Sequence, residues 1–371
     1  MIKAMKKRSV KKIIIRVFII LLAAVMLFVL GTFIFHRINR EKEIALLKEN
    51  GYYNPVSVGD HCLNVVKFGN ENGEHTIVAM AGLGSGDFPV GMRQMTAPLE
   101  EDNLVVFVDR AGYGFSDDTG KEMTLEYIVE DYRKALKNAG IEAPYILMPH
   151  SIGGAYATYW VSNYPEEIEA VVFVDGSQLS ADAFDDLPPC GVSLGDRALA
   201  FLAKLGFSRF VLRNYFYHYP DNFTEKEQYL ADALMYMTFE SLAPTSESGL
   251  LAKNAQDAFN GIITNDVPKL YICASWGLET KEDIIENNKW INRQIEINSF
   301  DMKPRPTEYD DETIRQILDD SKELRENIIY PYAEKMGNCK VVCIGGDHMI
   351  YEQKPSECAE IILEFLSELK N

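Results

Sequence analysis

The chain has 371 residues, 47% apolar and 25% charged, enough for one large globular core that needs no disulfide framework. Its net charge is −18, and because residues 1–36 carry seven Lys/Arg and no Asp/Glu, the remainder stands at −25. So acidic a body excludes a nucleic-acid partner, which demands basic surface to displace counterions.

Lys3, Lys6, Lys7, Arg8, Lys11 and Lys12 open the chain, and Val17 to Phe35 follows as 19 residues without a charge. At 1.5 Å per residue that run is long enough to cross a bilayer as one helix. It is long for the apolar core of a signal peptide and no A-x-A-like site closes it, so an uncleaved anchor is expected. The positive-inside rule keeps the basic flank cytoplasmic and places the body outside, as in a single-pass protein of the cell membrane. Residues 1–36 are thus read as tail and transmembrane anchor, 37–55 as a charged helical stalk, and 56–371 as one domain.

Val56 to Gly59 and Cys62 to Phe68 alternate as an antiparallel hairpin does. Six nearly all-apolar runs come next: Thr76 to Met80, Leu104 to Asp109, Tyr145 to Met148, Ala170 to Asp175, Lys269 to Ala274 and Lys340 to Ile344. Such runs belong to strands covered on both faces, hence to a parallel sheet. Helical segments alternate with them, at Thr124 to Ala139, Ala155 to Asn163 and Pro355 to Leu369, giving a doubly wound α/β pattern. Two long insertions, about 178–266 and 276–337, interrupt the rhythm; connections of that length often form lids. The first holds the aromatic run Tyr215-Phe216-Tyr217-His218-Tyr219, read as lid core. Six cysteines show no CxxC spacing and no His cluster, so no metal site is expected, and Cys273, Cys339 and Cys343 read as small buried hydrophobes.

The chemistry centres on Pro144 to Gly154, PYILMPHSIGG. A strand, a sharp turn with a central serine and a helix make the layout of a nucleophile elbow around Ser151. A serine nucleophile needs a base and a carboxylate to orient it. Of six histidines, His36 flanks the membrane, His61 and His75 lie in the hairpin region, and His218 lies in the first insertion. His150 belongs to the turn, with its ring expected to point away. His348 remains, just past the last strand, on the sheet edge where Ser151 emerges. For the acid, Asp175 at a strand end is favoured over Glu279 in the loop after Lys269 to Ala274. The oxyanion donors are expected to be the backbone amides of Ile152, after the nucleophile, and Leu83, in the loop Ala81-Gly82-Leu83-Gly84-Ser85-Gly86. That loop fails as a dinucleotide fingerprint because Asp87 stands where a third glycine belongs.

Taken together, Ala81 to Gly84 (AGLG), Asp109 to Asp117 (DRAGYGFSD), the elbow, Val174 to Ser177 (VDGS) and Gly346 to Tyr351 (GDHMIY) with Pro355 make the chain resemble the α/β-hydrolase superfamily over about residues 56–369, insertions excluded. The resemblance implies a mostly parallel sheet with helices on both faces and a helical lid, here preceded by one transmembrane helix. It implies Ser151 as nucleophile, His348 as base and the Leu83 and Ile152 amides as oxyanion donors. The missing Asp after the seventh strand of the family's sheet supports Asp175 as acid. Two positions depart from the pattern. Ala81 replaces a loop-bracing His, and Pro149 replaces the first Gly of the elbow. The expected activity is serine hydrolysis of a carboxylic ester of a small-molecule acyl substrate, with no cofactor or metal. The alternatives are an amide or peptide hydrolase or an acyltransferase on the same triad, or an idle ligand-binding relative.

Overall fold

The computed structural model describes residues 2–369 except 178–179, 188–190, 212–216 and 221, and for residues 2–10 the helical backbone alone. Its centre is an eight-stranded sheet in the order β1-β2-β4-β3-β5-β6-β7-β8. The strands are β1 (Pro55–Ser57), β2 (Cys62–Gly69), β3 (Thr76–Met80), β4 (Leu104–Val108), β5 (Tyr145–Ser151), β6 (Ile168–Gly176), β7 (Lys269–Cys273) and β8 (Cys339–Cys343). β1 and β2 pair antiparallel, β2 joins β4 antiparallel, and every pairing from β4 to β8 is parallel.

Side chains alternate between two cores, as the period of two along a strand requires. Val78, Met80, Val106 and Leu147 enter one core, while Ile77, Ala79, Val105, Phe107, Ile146 and Met148 enter the other. The first core is covered by α2 (Leu125–Asn138) and α3 (Gly153–Asn163), through Ile128, Tyr132, Tyr156 and Trp160. The C-terminal helix, Pro355–Glu368, covers the second with Cys358, Ile362, Phe365 and Leu366. With both faces buried, apolar runs without polar alternation are what these strands must be. β8 is the edge strand, so Cys339 and Cys343 are half-buried, unlike Cys273.

The chain leaves β3 for β4 on one side and returns to β5 on the other. Connections that depart from neighbouring strands in opposite directions open a crevice at their carboxyl ends. The glycine loop after β3 and Ser151 at the end of β5 flank it.

The first insertion folds as α4 (Leu194–Lys204), α5 (Ser208–Val211), α6 (Glu225–Thr238), α7 (Ala243–Gly249) and α8 (Leu251–Asn260). Ser193 and Thr224 start α4 and α6 with reciprocal capping boxes. Of the aromatic run, Tyr215 and Phe216 lie outside the described residues. Tyr217 and Tyr219 pack edge to face at 5.3 Å, and Tyr219 stacks on Phe223 at 4.4 Å. The second insertion is also helical, with Lys281–Asn298, Asp311–Leu324 and Tyr330–Met336.

Tail, apolar run and stalk form one helix, α1 (Ile2–Glu49). Residues 11–28 are exposed all round, whereas Thr32, His36, Glu43 and Leu47 are buried against the body. Those spacings of four and seven residues make one helical stripe. The stalk is therefore docked along one side.

Candidate active site

β5 ends on Ser151, whose φ of 52° is in the left-handed region that a non-glycine residue occupies only at a cost. The turn also needs room. A Cβ on Gly153 would lie 2.7 Å from the Met80 carbonyl oxygen, and one on Gly154 would lie 2.9 Å from the Ser177 amide nitrogen. Pro149 is accommodated inside β5, opposite Met80 of β3. On the other side, pairing with β6 lapses after Leu147 and resumes at His150 opposite Val174. A residue without an N–H thus sits where the ladder to β6 is interrupted.

The β5–β6 register then shifts by one residue, from His150 opposite Val174 to Ser151 opposite Gly176. Asp175 takes up the shift, with φ 42° and no exposed surface. An irregularity of this kind re-aims a side chain. Asp175 Oδ2 accepts a 2.7 Å hydrogen bond from His348 Nδ1 and a 2.5 Å bond from Ser275 Oγ; its Oδ1 accepts from the Ala274 and Ser275 amides at 2.9 and 3.1 Å. Burial opposes ionisation of Asp175, but the His348 contact and these donors more than offset it and hold the carboxyl below its usual range. Burial likewise opposes the His348 cation, yet the bond to Asp175 and its charge raise the imidazole above its usual value. The His348 side chain keeps 44% of its surface exposed, whereas Asp175 keeps 1%.

Asp175 and His348 are therefore bonded at the sheet edge on which Ser151 ends β5. Among the described residues the Ser151 hydroxyl makes no hydrogen bond, and contacts of this sort commonly close only around a substrate. Glu279, the other candidate acid, is elsewhere: its carboxylate is 56% exposed and faces Arg325 at 3.6 Å. Ile152 is the cap residue of α3, at the positive end of the helix dipole. Leu83 lies in the loop opposite, where a Cβ on Gly82 would come within 3.1 Å of the Ser151 Cβ. Neither the Leu83 nor the Ile152 amide has a backbone or side-chain acceptor among the described residues.

Several residues escaped the sequence reading. His150 is not a bystander of the turn. Its buried ring lies 4.6 Å from the His348 ring and 4.9 Å from Tyr351, and its Nε2–H donates to the His348 carbonyl at 2.9 Å. Burial and the neighbouring His348 push His150 down to about 3, so it stays neutral. Arg110 supplies the brace that the alanine at position 81 leaves out. It donates to the Ala81 and Gly82 carbonyls at 2.7 Å each and pairs with Glu247 of α7 at 3.0 Å. Tyr113 and Tyr156 donate to the same carboxylate at 2.6 and 2.5 Å, and Tyr113 Oη accepts from the Gly84 amide at 3.1 Å. Both charges are buried, and Glu247 outweighs the burial that would otherwise lower Arg110. Arg110 stands in the DRAGYGFSD segment that drew attention as a motif; Glu247 lies in an insertion whose sequence carries no comparable signal.

This arrangement, an elbow serine and an Asp–His pair on the carboxyl edge of a mostly parallel sheet, is that of the alpha/beta hydrolase fold. The chain belongs to that family, whose model matches residues 77–290. Among curated relatives, "Uncharacterized protein YbdG" of Bacillus subtilis (strain 168) is 35% identical over 205 residues, 55% of this chain and 61% of the relative. The chain thus spans about three fifths of that relative's length. "Putative methylesterase 14, chloroplastic" of Arabidopsis thaliana is 38% identical over 89 residues, 24% of this chain and 26% of the relative. Among solved structures, a probable hydrolytic enzyme from Pseudomonas aeruginosa PAO1 superposes with a TM-score of 0.54 at 15% identity, covering 85% of this chain and 93% of its own. At that identity the likeness is one of fold.

Proposed function

We propose that the chain is a serine hydrolase of carboxylic esters, held at a membrane by α1, with the 178–266 insertion as its lid. The observation that carries this reading is the 2.7 Å closure of His348 on a buried Asp175 beside a serine strained at positive φ. With Nδ1–H given to Asp175, Nε2 is free to take the Ser151 proton. Ser151 Oγ then attacks the acyl carbon, and the developing oxyanion accepts from the Leu83 and Ile152 amides, each donor contributing on the order of 10²–10³ in rate. His348 returns the proton to the departing alkoxide, leaving an acyl-enzyme. Water, deprotonated by His348, releases the acid. The methylesterase name of the Arabidopsis relative agrees with an ester substrate. The membrane half of the proposal is supported by the apolar, exposed surface of α1 from Val17 to Leu27.

The test is fluorophosphonate labelling of the purified full chain beside Ser151→Ala. Wild type is expected to take up the probe and the variant not, with short-ester turnover falling on the order of 10³-fold or more. A wild type that never labels, or a variant that keeps full turnover, sinks the reading.

A further inference from the structure

Beyond α1, the exposed apolar surface of the molecule concentrates on one segment. Leu194, Phe201 and Phe210 are exposed by 85, 61 and 57%. Leu194 and Phe201, seven residues apart, share one face of α4 and Phe210 lies on α5, and water is a poor partner for apolar side chains exposed in this way. Three further observations say what covers it. First, the segment touches the apolar part of α1. The Phe207 and Phe28 rings meet edge to face at 6.0 Å, and those of Phe210 and Phe35 lie 5.6 Å apart. Phe28 is seven residues inside the end of the apolar run at Phe35, about 10 Å along the helix. A helix that spans a bilayer to Phe35 therefore brings Phe207 to the depth at which interfacial helices bury their apolar faces, about 5–10 Å. Second, the contact is fixed. Gly206 lies so close to α1 that a Cβ would be 2.5 Å from that of His36. Arg209 grips Glu43 with two bonds, of 2.5 and 2.6 Å. Third, with Arg209 neutralised by Glu43, residues 191–211 still carry Arg197 and Lys204 against Asp196 alone, on a body of charge −25. This is the local sign that suits phosphate headgroups.

Behind the same helix lies a cavity of about 290 Å³, near the lower end of small-ligand sites. Leu199 and Ala200 of α4, Met235, Phe239 and Leu242 line it together with Gly84 of the glycine loop. Leu199, about 140° round α4 from Leu194, faces this cavity behind the Leu194–Phe201 side, and Gly84 in its lining adjoins Leu83 in the chain.

We propose that Leu194–Val211 is a second membrane contact, embedded in the leaflet from which α1 emerges on the body's side, and that the cavity behind it draws a long-chain acyl ester from that leaflet to Ser151. This rests on the serine-hydrolase and anchor readings above and names their substrate class.

The experiment uses the full chain in phosphatidylcholine–phosphatidylglycerol vesicles carrying dioleoylglycerol. Phe201→Trp, read by difference from wild type, is expected to be quenched by bromine on the lipid acyl chains more than by aqueous iodide. Leu194→Glu with Phe201→Glu is expected to keep turnover of a soluble short-chain ester within about twofold. Turnover of the vesicle-borne ester is expected to fall about tenfold or more. Quenching by iodide alone overturns the membrane contact. So does shielding from both quenchers in a protein that runs as a dimer, which would mean that a second copy covers the face. Equal change on the two esters, or a wild type that cleaves the soluble ester but never the vesicle-borne one, overturns the substrate route and leaves the serine-hydrolase reading standing. A wild type inactive on both overturns the substrate route and that reading together, while quenching still decides the contact. Flotation of the chain with vesicles reports the anchor separately.

Discussion

His348 and His150, whose rings meet at a tilt of 37°, carry opposite pH dependences. The His348 pKa is raised, so the stabilisation from its bond to Asp175 is full below the unfolded value near 6.5 and is lost as pH rises through the higher folded value. In the proposed mechanism, the base form that takes the Ser151 proton appears over that same rise. Initial rates against pH are therefore expected to climb with a midpoint above that of ordinary imidazole. Asp175→Asn removes the anion, so the midpoint moves down while the rate falls by about 10⁴. For His150, depressed to about 3, the sign reverses: its contribution is present above the unfolded value and drains away as pH falls. Between pH 6.5 and about 5 this amounts to roughly 2 kcal/mol at most. Urea midpoints at neutral and mildly acidic pH are expected to differ less in His150→Phe than in wild type.

The glycine loop is the element on which the site depends, and Arg110 holds it from below by two carbonyls. Arg110→Lys keeps the charge but loses the planar fork, so the Leu83 amide loses its aim. Steady-state kinetics are expected to show kcat falling by about tenfold or more with KM little changed, a transition-state loss that a merely structural role would not produce. Glu247→Ala leaves the guanidinium buried without a counter-charge, and calorimetry is expected to register about 3–5 kcal/mol of destabilisation. The strands at this site were legible in the sequence because burial on both faces leaves an unbroken apolar signature, and Ser151, Asp175 and His348 fall at the ends of such runs. The Arg110–Glu247 brace was not, because its partners are 137 residues apart and one lies on an insertion helix with no motif. The packing of His150 on His348 was not legible either, because it joins β5, which sends the His150 and Ser151 side chains to opposite faces, to a loop 198 residues later.

Across the whole molecule, α1 and the first insertion act as one body. The Glu43–Arg209 pair is joined by His36, which accepts from Arg209 Nε at 3.0 Å and faces Glu240 at 3.1 Å; Arg40 meets the same Glu240 at 2.6 Å. A double-mutant cycle on Glu43→Met and Arg209→Met is expected to return a coupling of about 1–3 kcal/mol, with the double variant more stable than either single one. The sequence showed a charged helix after the apolar run but not this docking, because its partners come from an insertion some 170 residues later.

A hinge between anchor and domain would let the domain tumble above the bilayer like a buoy on a chain. α1 runs unbroken from Ile2 to Glu49 and is clamped along its last turns, which leaves no hinge there. In the proposed setting the reactive serine is then a tool on a fixed post. Its position relative to α1 is constant, so it moves only as that helix tilts, spins about the membrane normal and drifts in the plane. Molecules that pass above that plane are out of reach however well their chemistry fits, so location selects substrates before any contact with the pocket does.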